Sequence, residues 1–585
     1  MPRQLLSLPV DPAGRRRLAL LVASVVVGVA LALLPSRTLA ETLFRQTGFW
    51  AILGCFTVWI LVLVRWFSRL AAEGRGPRLD RVGVVGLALA VLLTAAGVTA
   101  ARPSYRILAD ETNLLAVAMG MYEDHTPLRV DAGLYDFGSY RATTRAIDKR
   151  PLAYPFLVWL AHTFTGYRAA NGFAISALST AAALFLVFSL GRRVSPLAGF
   201  SAMLFLAGCP MVMIWAASCG FEMTNVCFLV LMLVMLERFL ASPRAEEAEA
   251  LVWTVAILAQ CRYESAAAIP IVLGVFVFRL PADEWPRLSP TLALVPLLLA
   301  PAVWPQRLSL TPHAHQAAAD EAVFSAQAFL AHLWPALRCL AGARTEYATS
   351  PATFGLALAG LCVTLWRAGR ARTGDPGRDL TRAAFWVHGL LALVILGYAH
   401  GNLTDPVTMR LALAFVPAMA LLAGLALDAA ARALPATRPW LLALAVLTLL
   451  VSWPETGKAQ AVTSLQQHRF YNQVLAHIRH TLAEAPLGPV LVVTYYPNLF
   501  SVHRYGALDF ATANARAGEL LDLLRTGFYQ AVFVIEHVPY ASDQPDPRTT
   551  LRWPVTLVPS YAMRLNDHDL ARVMRVSPPP LSTSR

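Results

Sequence analysis

Asp110 and Glu111 stand side by side in "ILADETNLL", directly after an apolar run long enough to cross a membrane. A carboxylate there can accept a proton from a bound hydroxyl. Equally, two carboxylates can mark a solvated boundary and cap the helix that begins near Thr112. About forty residues on, "DKRPLAYPFLVWL" sets Lys149 and Arg150 before another apolar stretch. Such cations either hold an anion through charged hydrogen bonds or snorkel at a lipid interface. In "ILAQCRYESAAAIP", Arg262, Tyr263 and Glu264 interrupt an apolar region. A charge inside a span costs roughly 2.5–3.5 kcal/mol by insertion scales, so it usually marks function; the other reading is a boundary turn in water. Glu222 in "SCGFEMTNVCFLVL" opens a span, a favourable place for an acidic residue by itself. Arg410 lies in "HGNLTDPVTMRLALAFVP", and His313 and His315 in "TPHAHQ". Two histidines with no third ligand do not make a metal site.

The elements that must position these groups follow from composition. Of the 585 residues, 57% are hydrophobic and 15% charged, against about 25% charged in soluble domains. Apolar runs of about 17–25 residues recur, the length that spans a hydrocarbon core. Continuous runs such as "LALLVASVVVGVALALL" select helices over the alternating strands of a barrel. An α-helical polytopic membrane protein is therefore expected. The net charge of +13 comes mostly from arginines between spans, a positive-inside pattern and not a nucleic-acid surface. The seven cysteines have no metal-ligand spacing and sit mostly in or beside apolar runs, as small buried hydrophobes do. The segment "RRRLALLVASVVVGVALALLPSRTLAE" has signal-peptide features, with cleavage conceivable after Ala40. Its apolar core is longer than a signal core and a second span follows at once, which favours a retained first helix.

Thirteen spans are predicted: 18–35, 48–66, 82–101, 170–190, 197–216, 222–240, 249–262, 265–279, 289–304, 351–367, 383–400, 410–429 and 438–453. With Arg15, Arg16 and Arg17 in the cytoplasm, "RWFSRLAAEGRGPRLDR", "GRR" at 191–193 and "WRAGRARTGDPGRDLTR" also fall inside. Two long segments, 102–169 and 305–350, and the C-terminus then lie outside. Three regions result: a hairpin and loop at 1–81, a transmembrane domain at 82–455 carrying both external loops, and a third at 456–585. The first loop contains an amphipathic stretch, then "PLAYPFLVWLAHTF", too short for a span, with Tyr154 and Trp159 suited to interfacial depth. In the last region, 464–484 reads as a helix, "PVLVVTYY" and "AVFVIEHV" as strands, and "NARAGELLDLLRTG" as a helix between them. That alternation predicts a small extracytoplasmic α/β domain, a lid or acceptor platform, with no phosphate-binding glycine fingerprint.

The segments "ADETNLLAVAMGMYEDHTPL" and "DKRPLAYPFLVWLAHTFTGYRAANGFAISALSTAAALFLVFSLGRRV" resemble the GT-C glycosyltransferases. The resemblance is to the branch with protein O-mannosyltransferases and lipid A aminoarabinose transferases. It covers roughly 82–455 and is strongest over 105–195; Arg150 stands where the family commonly has the first of two prolines, and the hairpin at 18–66 is an addition. The resemblance implies a GT-C-like fold and a sugar donor on a polyprenyl phosphate at the outer leaflet of a bacterial-type inner membrane. The acceptor is then an extracytoplasmic glycan, lipid or protein, and the reaction a single displacement with inversion. Asp110 matches the family base and Glu111 orients it or the acceptor. Lys149 matches the lysine on the donor phosphate, with Arg150, Arg262, Tyr263 and Arg410 beside it and Tyr154 and Glu264 in the substrate pocket. Glu222 matches a second acidic residue that assists activation or holds a divalent cation; no cofactor is required. The alternatives are an O-antigen ligase or polymerase type of transferase, which works through a late external loop, and a secondary transporter, which usually shows internal repeats.

Overall fold

The computed structural model describes residues 11–74, 80–136, 138–309, 323–342, 349–371, 375–405, 407–453, 466–483, 489–539, 546–564 and 569–577. The chain divides into two compact units. One comprises Met1–Pro103, Lys149–Leu157 and Gly172–Thr463, the other Ser104–Asp148, Val158–Asn171 and Ser464–Arg585.

The first unit is helical. Among the described residues ten helices are long and apolar enough to cross a membrane, and eleven if the bent pair Pro196–Ala207 and Pro210–Ala216 counts as one span. That pair bends by 69° where Pro210 removes a backbone donor. In place of the predicted spans at 249–262 and 265–279 stand one helix of the predicted length that begins four residues earlier and one that is three residues shorter. Ala245–Leu258 has 14 residues and Ala268–Arg279 has 12, about 21 and 18 Å at 1.5 Å per residue, short of the roughly 30 Å hydrocarbon core. The first of these stops because the Gln260 carbonyl accepts the Ala153 N–H at 3.0 Å. Arg262 is then extended and Tyr263–Ala267 form a 3-10 turn. The N-terminus of the same helix is held by Glu284, whose Oε2 accepts the Ala245 N–H at 3.0 Å. Helices elsewhere approach closely through small residues. A Cβ at Gly360 would overlap the Leu422 carbonyl, and one at Gly424 the Ala198 carbonyl, the kind of contact that lets backbones pack in lipid.

The second unit is a seven-stranded sheet with helices. Its strands are β1 (Arg129–Asp136), β2 (Ser139–Ala146), β3 (Val490–Val493), β4 (Gly506–Leu508), β5 (Ala531–Pro539), β6 (Thr556–Arg564) and β7 (Asp569–Ser577). Their order is β2-β1-β4-β3-β5-β7-β6. Strand β3 pairs in parallel with β4 and with β5, and the outer pairs are antiparallel. The predicted strands are β3 and β5. Hairpin β1–β2 comes from the first external loop, so a domain boundary at 456 separates strands that share one sheet. The physical reason is the edge of β4: its backbone groups need partners, and Gly133 of β1 pairs with Ala507 there. Leu491, Val493, Val532 and Val534 pack on Leu520, Leu521 and Leu524 of the helix Ala517–Arg525. On the opposite face Val492, Phe533 and Ile535 are also buried, as expected for a parallel core covered on both sides. The helix Leu108–Asp124 packs on β1 and on the short helix Pro497–Ser501. It is buried all round from Thr112 to Met121, so the middle of the stretch predicted as amphipathic has no exposed face.

Candidate active site

In the helical unit, Glu222 is the first residue of the helix Glu222–Ala241, and that helix has no side-chain N-cap. Glu222 is 2% exposed. Its Oε1 accepts from Arg410 Nη1 at 2.9 Å and from Arg262 Nη1 at 3.3 Å. Arg262 turns its Nε and Nη2 to the two oxygens of Glu264, both at 3.3 Å. One turn beyond Glu222, Asn225 Oδ1 accepts the Ser265 hydroxyl at 2.6 Å. Arg262 lies 4.6 Å over the Phe221 ring and Arg410 lies 5.8 Å over Trp215, contacts that favour the cationic form. These polar groups, with Leu391, Ile395 and Leu411, line a cavity of about 10 Å³, room for about one water molecule.

The formal charge of the two arginines balances that of the two carboxylates. Among the described residues, Glu222 Oε2 has no hydrogen-bond partner although it is buried. The other oxygen, Oε1, occupies the point where two guanidiniums converge, the geometry in which arginine binds an oxyanion. Gly220 makes the arrangement possible, because a Cβ there would overlap Glu222 Oε2. Among the described residues, no three His, Cys, Asp or Glu side chains are grouped to hold a metal ion.

The predicted residues Glu222, Arg262, Glu264 and Arg410 are thus brought together across 188 positions of sequence. Asn225 and Ser265 complete the cluster and were not singled out by the sequence; their signal was position, one helical turn after Glu222 and directly after Glu264. Tyr263 is 42% exposed and does not line the cavity. Tyr154, predicted for a pocket and for interfacial depth, is fully buried instead. Its hydroxyl donates to the Gly172 carbonyl at 2.9 Å. Lys149 and Arg150 are half-buried, and the Lys149 carbonyl accepts from Gln306 Nε2 at 2.7 Å. His313 and His315 lie outside the described residues.

In the sheet unit the acidic pair divides into unlike members. Both sit in the first turn of the helix Leu108–Asp124, whose N-cap, Ile107, offers no side-chain bond. Glu111 supplies what the cap lacks: fully buried, its Oε1 accepts the Arg106 N–H at 2.7 Å and the Ile107 N–H at 2.8 Å. Arg106, 1% exposed, is a further residue that sequence reasoning missed. Burial pulls its guanidinium down to about 10, and the nearby Glu111 carboxylate opposes that shift. Asp110 is only partly buried.

The ten apolar helices and the attached sheet define an integral membrane protein with the GT-C fold. The particular likeness is to ArnT from Cupriavidus metallidurans in the apo state, with 14% identity, a TM-score of 0.51 and coverage of 84% of this chain and 97% of that one. The same ArnT bound to undecaprenyl phosphate gives 16% identity, a TM-score of 0.48 and the same coverage. An Archaeoglobus fulgidus oligosaccharyltransferase in complex with zinc and sulfate gives 14% identity, a TM-score of 0.36 and coverage of 72% and 61%. No protein-family model matches the sequence, and no curated protein matches it either.

Proposed function

We propose that this protein is a membrane glycosyltransferase that moves a sugar from a polyprenyl phosphate to an extracytoplasmic acceptor. The observation that carries the reading is the convergence of Glu222, Arg262, Glu264 and Arg410 around one buried cavity in a chain of GT-C fold. Burying four charges costs several kcal/mol per ion before pairing returns it, which is hard to explain by packing alone in a lipid-solvated protein. In this reading the acceptor hydroxyl attacks the anomeric carbon as the bond to the donor phosphate breaks, with inversion. Asp110 takes the hydroxyl proton, since Glu111 is already held by two backbone donors. Lys149 and Arg150 offset the charge of the departing phosphate, and Arg262 and Arg410, paired with Glu222 and Glu264, border the donor pocket. Phosphate leaves as a stable anion, so the chemistry as written calls for no general acid and no cofactor. The membrane is proposed to be a bacterial-type inner membrane, with the sheet unit and external loops outside the cytoplasm.

The test is a mass-spectrometric comparison of envelope glycolipids and glycoproteins from cells carrying the wild-type protein or Asp110→Asn. The expected result is at least one sugar modification present with the wild type and absent with the variant, at equal membrane levels of protein. Identical profiles from the two would remove the assignment. Net solute flux in proteoliposomes, without sugar transfer, would point to a transporter instead.

A further inference from the structure

The sheet unit carries a second set of polar and aromatic groups, remote in sequence from the acidic pair. Strand β3 comes first of the three parallel strands yet lies at their centre, with β4 on one side and β5 on the other. The chain leaves the C-terminal end of β3 toward β4 and leaves β5 toward β6 and β7, so the connections diverge. Such a switch point opens a crevice at the C-terminal ends of the strands, the usual ligand position in open α/β sheets. Strand β5 also outruns β3: Val493 pairs with Val534, and β5 continues to Pro539. His537 therefore stands beside the residues that follow β3.

Those residues are aromatic. Tyr495 is 52% exposed, with its ring centroid 5.0 Å from Tyr496 and 6.3 Å from His537. His537 Nε2 is 3.1 Å from the hydroxyl of buried Tyr471, and the His537 carbonyl accepts the Asp546 N–H at 2.8 Å. Asp546 in turn holds Arg548 in a fork, with Nη2 to Oδ2 at 2.7 Å and Nε to Oδ1 at 3.2 Å. The Tyr495 ring and the Arg548–Asp546 fork are thus both tied to His537, one through its ring and the other through its carbonyl.

We propose that this crevice is a glycan-binding subsite, with Tyr495 as the stacking platform and the Arg548–Asp546 fork as the polar edge. A pyranose presents an apolar C–H face and a rim of hydroxyls, which matches a half-exposed ring flanked by planar donors and acceptors. An anion is a poorer match, because Asp546 already neutralises Arg548. A purely apolar ligand would bury the Arg548–Asp546 fork without partners. Sugar binding here is argued from the sheet unit alone; within the proposed function the subsite holds the glycan part of an acceptor.

The experiment is saturation-transfer NMR on the full-length protein in lipid nanodiscs, with mannobiose, maltotriose, chitobiose and lactose as probes and inorganic phosphate followed by phosphorus NMR. Transfer to at least one sugar is expected, reduced at least five-fold by Tyr495→Ala, kept by Tyr495→Phe and unchanged in Asp110→Asn. Absence of transfer to all four sugars, or equal transfer in Tyr495→Ala, overturns the subsite. So does loss in Asp110→Asn alone, which would place the sugar at the reaction site, and so does phosphate binding abolished by Arg548→Ala. The glycosyltransferase reading stands or falls separately, on the envelope comparison above.

Discussion

Replacing Glu222 by Gln keeps the shape of the side chain and removes its charge, which isolates the electrostatics of the buried cluster. At an effective dielectric constant of about 20, unit charges at 2.9 and 3.3 Å attract by about 6 and about 5 kcal/mol before desolvation is counted. Most of that attraction offsets the transfer of the ions out of water. The variant leaves the Arg262 and Arg410 side chains, 7% and 11% exposed, facing Glu264 as the remaining carboxylate of the cluster. Breaking a buried pair in this way costs about 3–5 kcal/mol. Taking about 2.1 cal/mol/K of unfolding entropy per residue over roughly 400 residues of the helical unit, the thermal midpoint falls by about 4–6 °C. The assay is the midpoint of irreversible loss of the monodisperse peak in detergent, read beside a double-mutant cycle with Arg410→Gln. Coupling of at least about 1 kcal/mol is expected between the two sites, because each loses the same contact. A wild-type midpoint for Glu222→Gln, or a strictly additive cycle, refutes the reasoning.

Gly220→Ala forces its Cβ against Glu222 Oε2 and should cost about 1–3 kcal/mol, with Gly220→Ala/Glu222→Asp recovering part of the loss in the same thermal assay. Glu111→Gln weakens two hydrogen bonds to backbone N–H groups, each worth about 1.5–3 kcal/mol when the acceptor is charged; hydrogen exchange over residues 104–124 should rise, whereas Asp110→Asn leaves it unchanged. Lys149→Ala should raise the KM for the lipid-linked donor well above any change for the acceptor, and equal effects on both would exclude a phosphate role. His162 is buried, its Nδ1 receives Asn171 Nδ2 at 2.8 Å, and burial pulls its pKa from 6.5 down to about 4, helped by Arg504. The unfolded chain binds the extra proton between those values, so stability of the sheet unit is full above about pH 6.5 and declines as pH falls toward 4. The total is of order 3 kcal/mol, and acid unfolding of His162→Phe should lose that part of its pH slope.

The apolar helices were legible because lipid leaves the chain one way to satisfy its backbone, and a run of twenty apolar residues announces it. The two failures at 249–279 have a local cause. Hydropathy does not show that the Gln260 carbonyl bonds Ala153 or that Glu284 holds the Ala245 N–H, and these contacts go with a helix that starts and stops four residues before the apolar run suggests. The sheet was legible where its strands are apolar on both faces, as in β3 and β5, and illegible where they are not. Strand β2, "SYRATTRA", has no fully buried position, so its place follows from pairing with β1 and from nothing in its own pattern.

The acidic pair shows where residue type ceases to inform. Asp110 and Glu111 are adjacent, equally charged and equally placed with respect to the preceding span, so either can be a base and either a cap. What separates them is one methylene and one backbone geometry. The longer side chain of Glu111 folds back past an uncapped helix start to two N–H groups, and the two bonds fix the carboxylate in place. A group so held is a poor proton acceptor for a substrate, because taking the proton would break the bonds that order the turn. Its neighbour is partly exposed on the same first turn. In the proposed reaction the pair would divide into a positioning carboxylate, Glu111, and a reactive one, Asp110. Exchanging the two residues, Asp110→Glu with Glu111→Asp, should lose both the order of the turn and the reaction, although composition and charge are unchanged.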